Sequence, residues 1–160
     1  MTLGLSLEVF TRLHVALSLV GIVSGLIVLF GLIARRRLAG WTALFLVTTI
    51  LTSVTGFGFP FDHLLPSHKI GIVSLVVLAI TVVARYALGM VGAWRVIYVI
   101  GAALALYLNG FVGVVQAFLK IPALTRLAPN QTEAPFVIAQ LAVLALVIVL
   151  TVFAARRFRA

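Results

Sequence analysis

The chain contains no cysteine and only three acidic residues, Glu8, Asp62 and Glu133, in 160. The first absence excludes disulfides, thiolate zinc sites, iron–sulfur clusters, thioether-attached haem and cysteine nucleophiles. The second leaves no paired carboxylates for acid–base catalysis and no carboxylate within an apolar run to serve a proton relay. A phosphate-cradling loop and a nucleophile elbow are also missing, so no conventional catalytic motif marks a hydrolase, kinase or other transferase. Charge of any sign is scarce, at 9% of residues where about 25% is usual.

Apolar residues make up 64% of the chain and the mean hydropathy is +1.30. A water-soluble domain of this composition would expose more apolar surface than solubility tolerates. A membrane-spanning helix needs about 20 apolar residues. Reading between charges gives five such spans, at about residues 13–34, 41–59, 68–90, 96–119 and 135–155. Pro60 closes the second and Pro135 opens the fifth, where a missing N–H costs nothing. Within the third, Lys69 and Arg85 are expected to snorkel outward. No repeat, low-complexity stretch or linker divides the chain, and the expectation is an all-α membrane protein, a single five-helix bundle.

Twelve Lys and Arg residues give a pI near 11.7. Nucleic-acid binding would need them on one solvated face, whereas here they sit at the ends of apolar runs, so no nucleic-acid partner is expected. Arg35, Arg36, Arg37, Arg156, Arg157 and Arg159 suit anionic lipid headgroups instead. The first and third connections and the tail hold eight basic residues, and the opposite side holds four. The positive-inside rule then puts the amino terminus outside and the carboxyl terminus in the cytoplasm of a bacterial inner membrane. All three acidic residues fall on the outer side. No basic segment precedes the first apolar run, and that run exceeds a signal core, so it is expected to be retained.

The few polar residues within spans are the candidates for chemistry. His14, Ser18, Gly21 and Gly25 form one helical stripe, with a polar head and a small-residue floor. One reading is close packing between helices or copies of the chain. The other is room beside His14 for a planar ligand. Pro66-Ser67-His68-Lys69 reads as a helix start that puts His68 in the first turn, where the helix dipole favours neutral imidazole. Gly71 clears space on the same face. His14 and His68, on helices beginning on the same side, are therefore candidate axial ligands of a b-type haem. A copper or zinc site from His14, Asp62, His63 and His68 is a further possibility, although zinc normally takes four ligands with an organised surrounding shell.

In the fourth span Asn109 and Gln116 share a face with Lys120 at its end. Together with Tyr107, Gln140 and Thr52, on a Thr48–Thr52–Thr55 stripe, they could line a cavity for a quinone, lipid or other amphiphile. The competing role is hydrogen bonding between helices, worth about 0.6 kcal/mol per contact. The run Gly56-Phe57-Gly58-Phe59-Pro60 reads as a loosened helix end with rings at headgroup depth.

The phrases GFGFPFDHLLPSHKIG and ALYLNGFVGVVQAFLKIPAL resemble segments of small bacterial multi-pass inner-membrane proteins that carry no assigned activity. The chain is similar to four-helix b-type cytochromes in architecture alone, and has too few span histidines for a two-haem member. Three functional expectations follow: a haem-b electron-transfer module, a structural subunit of a homo-oligomer or larger membrane complex, and a small-molecule or lipid carrier.

Overall fold

The computed structural model describes residues 4–60 and 66–159. Its helices are α1 (Leu7–Ile33), α2 (Ala39–Gly56), α3 (Pro66–Val82, continued by a π-helical turn Val83–Ala87), α4 (Ala93–Lys120), α5 (Pro122–Leu127) and α6 (Ala134–Arg157). All but α5 are long and apolar enough to cross a membrane. Asp62 and His63 lie outside the described residues.

α1 begins six residues before the expected boundary because its start is capped. Ser6 Oγ accepts from the Val9 N–H at 3.3 Å, and Glu8 pairs with Arg12 one turn later at 2.5 Å. It ends where Arg35 turns left-handed (φ 60°) and the Arg36 N–H reaches back to the Gly31 carbonyl at 2.8 Å. α2 stops at Gly56, short of Pro60, because the Phe57 and Gly58 amides close a turn onto Val54 and Thr55.

The first four spans form a ring in the order α1, α2, α3, α4, and α6 packs outside it against α4 and α1. Lipid offers no hydrophobic drive between helices, so close approach must come from small residues. A Cβ on Gly25 would lie 2.8 Å from the Phe45 ring and 2.9 Å from Leu106 Cδ1, and one on Gly101 would collide with the Thr81 hydroxyl. These contacts lock α1 to α2 and α4, and α3 to α4. Gly21 and Gly25 are thus consumed inside the bundle and do not offer a face to a second copy.

The buried core is asymmetric. Val28, Leu29, Leu32, Phe45, Leu46, Leu78, Tyr98, Val99 and Leu106 fill the half nearer the 34–38 and 88–92 connections, closed by Leu150 and Ala154 of α6 and by Phe158 just after it. The half nearer His14 is less completely filled. Around the outside, Val23, Phe30, Val47, Val76, Ile100, Ile138 and Phe153 stand exposed, as a lipid-facing surface requires.

Arg85 does not snorkel outward. The π-helical turn directs it inward, 9% exposed, where Nη2 donates to the Arg37 carbonyl at 3.2 Å and the guanidinium lies 5.2 Å from the Tyr98 ring centre. Inserting one residue into the helical repeat rotates the side chain off the lipid face.

Candidate functional site

A cavity of about 330 Å³ occupies the His14 half of the ring, within the range of roughly 300–1,000 Å³ common for small-ligand sites. α1 contributes His14, Val15, Ser18, Leu19 and Ile22; α2 gives Thr52, Ser53 and Gly56; α3 gives Ser67, Ile70, Gly71 and Ser74. α4 supplies the longest wall, Leu108, Asn109, Val112, Gly113, Gln116, Ala117 and Lys120. Positions 109, 112, 113, 116, 117 and 120 follow the three-and-four spacing of one helix face.

His14 is held from two sides. Its Nδ1 lies 2.8 Å from Thr55 Oγ1, and its ring meets Phe59 edge-on at 5.2 Å. The Thr55 hydroxyl has one proton and donates it to the Leu51 carbonyl at 2.7 Å. It must therefore accept from His14, which fixes the Nδ1–H tautomer and leaves Nε2 as an acceptor. Nε2 has no partner among the described residues, so a ligand hydroxyl or a metal could use its lone pair.

Deeper in the cavity, Ser18 Oγ donates to Asn109 Oδ1 at 2.8 Å and Asn109 Nδ2 returns to the Ser18 carbonyl at 3.2 Å. This reciprocal clasp joins α1 to α4 and satisfies an amide that is 7% exposed. Across from it, the Ser53 and Ser74 hydroxyls are hydrogen-bonded to each other at 3.1 Å. The threonine stripe of α2 largely serves its own backbone: the Thr48 and Thr52 hydroxyls donate to the Leu44 and Thr48 carbonyls at 2.7 and 2.8 Å. At the cavity mouth Lys120 is exposed and is the only cation among the lining residues.

The expected residues separate as follows. Thr52, Asn109 and Gln116 line the cavity with His14 and Gly71. Tyr107 does not, because it stands two residues before Asn109, about 200° around α4; its ring tilts against Phe111 at 6.1 Å. Gln140 belongs to α6 outside the ring and donates to the Phe111 carbonyl at 3.2 Å. His68 is buried and stacks on Phe57 at 5.4 Å, beside the cavity and not in its wall. Of the glycines expected to leave open space, Gly21 is covered by protein, and Gly71 edges the cavity but faces a phenylalanine ring. A Cβ on Gly21 would meet Asn109 Nδ2 at 2.9 Å and Thr49 Oγ1 at 3.0 Å, and one on Gly71 would meet the Phe57 ring at 3.2 Å. The Phe57 and Phe59 rings turn inward onto His68, His14 and Phe10.

Among the described residues no three His, Asp or Glu side chains converge on a metal-sized site. Of the four proposed metal ligands, Asp62 and His63 fall outside the described residues. Ser53 and Ser74 are not marked by the sequence pattern, and Ser67 is marked there only as part of a helix start; the available signal was small polar residues at facing positions of two apolar spans. Comparison of the chain with protein-family models, with curated proteins and with solved structures finds no match.

Proposed function

We propose that this protein binds a single-headed amphiphile, a lipid or quinone-like molecule, in the His14 cavity. The observation that carries the reading is the cavity's two-sided lining. Val15, Leu19, Ile22 and Val112 offer an apolar wall for a tail, while His14 Nε2, Gln116 and the Lys120 ammonium offer an acceptor, an amide and a charge for an oxygen-bearing head. The positive-inside count puts this end of the bundle at the outer face of a bacterial inner membrane, with the amino terminus outside. In that setting the protein works as a carrier or a ligand-dependent membrane subunit.

The test is thermal unfolding in neutral detergent, titrated with ubiquinone analogues and with short-chain phospholipids. One of these stabilises the wild type saturably, and Val112→Trp, which fills the cavity, abolishes the shift. Identical shifts in both proteins would overturn the reading.

A second reading, haem b with electron transfer, is favoured by one detail: His14 keeps Nε2 free while Thr55 orients the ring, as axial imidazoles require. A Soret band that appears on haem reconstitution and is lost in His14→Ala supports it. Its absence in the wild type removes it.

A further inference from the structure

The opposite end of the bundle holds a second recess, of about 730 Å³, with four arginines in its wall: Arg37, Arg95, Arg156 and Arg159. They come from three separate parts of the chain: the α1–α2 connection, the first turn of α4, and the end of α6 with its tail. Their shared floor is the 89–92 loop, where Gly89, Met90 and Gly92 all adopt positive φ near 60°. The chain has no Asp or Glu between residues 9 and 61, between 63 and 132, or after 133, so no acidic side chain belongs to this end. Among the described residues the sole ion pair is the distant Arg12–Glu8.

The recess is also held in shape by hydrogen bonds from arginine to backbone carbonyls. Arg95 Nη1 donates to the Ala155 carbonyl at 3.0 Å and to that of Phe158, pinning the α6 tail beside α4. Gly92 precedes α4 without a side-chain cap, so the positive end of a 28-residue helix faces the same region. Beneath the floor, buried Arg85 contacts Met90 Sδ at 3.9 Å and the Arg37 carbonyl. Four guanidiniums with no Asp or Glu side chain beside them form an incomplete electrostatic unit. Planar forks converging from three elements match the several oxygens of a phosphate better than a single carboxylate.

We propose that this recess binds a phosphate-bearing anion with at least two negative charges, supplied by a two-phosphate lipid headgroup or by a soluble phosphate compound. It differs from general attraction of basic residues to a membrane surface in that Arg35, Arg36 and Arg157, at the same end, lie outside it.

The experiment titrates the full-length protein in neutral detergent with a diphosphatidyl lipid, with phosphatidylcholine and with inorganic pyrophosphate, reading the melting temperature. The expected result is saturable stabilisation by the diphosphatidyl lipid, by pyrophosphate or by both, and none by phosphatidylcholine. Lipid alone identifies a headgroup site, and pyrophosphate acting equally well identifies a soluble ligand. Arg156→Gln with Arg159→Gln weakens apparent binding about tenfold or more, the loss expected of one or two charge-assisted contacts. Arg35→Gln with Arg36→Gln removes the same charge and leaves binding within about threefold, since exposed charges outside the recess act weakly. Should the first pair fail to fold, Arg37→Gln alone is expected to weaken binding in the same direction. Equal weakening by both pairs, or no saturable binding of either phosphate probe, overturns the proposal.

Discussion

Gly25 sits where a methyl group would lie 2.8 Å from the Phe45 ring, and neither the ring nor Leu106 has room to withdraw. Gly25→Ala is expected to cost about 1–3 kcal/mol, the range for overpacking a well-filled core. Gly110→Ala is the internal control, because its Cβ would lie 3.6 Å from Val143 Cγ1, an ordinary contact. That variant should be neutral or stabilising by a fraction of 1 kcal/mol, since alanine loses less backbone entropy in a helix. Reversible unfolding in mixed micelles separates the two. At Asn109 the expectation is smaller: Asn109→Leu removes the two-bond clasp with Ser18 and costs about 1 kcal/mol, because interhelical hydrogen bonds in membranes average about 0.6 kcal/mol each. A loss of several kcal/mol would mean that the cavity collapses without it.

At the scale of elements, two segments depend on a single polar side chain. The carboxyl end of α6 is tied to α4 by Arg95, so Arg95→Gln is expected to raise hydrogen-exchange rates at the 155–158 amides while those of α1 stay slow. The connection before α6 depends on Glu133. Desolvation, the largest single influence, pushes its pKa up, but the backbone N–H groups of Glu133, Asn130 and Thr132 and the Asn130 amide together outweigh it and hold the carboxyl below its usual range. A lowered pKa in the fold means the stabilisation is complete above the ordinary glutamate pKa. It is lost as pH falls through the lowered value. The protection factors of the Asn130 and Thr132 amides, their exchange rates taken relative to an unstructured chain at the same pH, should therefore fall on acidification, and Glu133→Gln should remove that pH dependence.

The whole molecule is a ring of four helices, filled with side chains at the arginine end and open at the His14 end, with α6 laid against one side. The absence of native cysteine makes its orientation directly measurable. Single cysteines at Thr132 and at Ala39, labelled in intact cells with an impermeant maleimide, should react at Thr132 and stay protected at Ala39 until the membrane is permeabilised. The reverse pattern would invert the proposed topology and place the cavity on the cytoplasmic side.

Number, type and approximate limits of the spans were readable in the sequence because transfer of a 20-residue segment to lipid depends on composition, which is local. The shared face of Asn109, Gln116 and Lys120 was readable because helical period is local as well. Helix ends shifted where caps and turns, such as Ser6 and the Gly56–Gly58 turn, outweighed hydropathy. What fills the space beside a glycine depends on which helix lies opposite, and only the folded ring put Thr49 and Asn109 against Gly21 and Phe57 against Gly71. The same holds for charge. By itself the sequence established that one end of the molecule is basic and free of acidic side chains. That four of its arginines meet around one loop was decided by tertiary structure, because the three segments carrying them are brought together by the packing of α4 between α1 and α6.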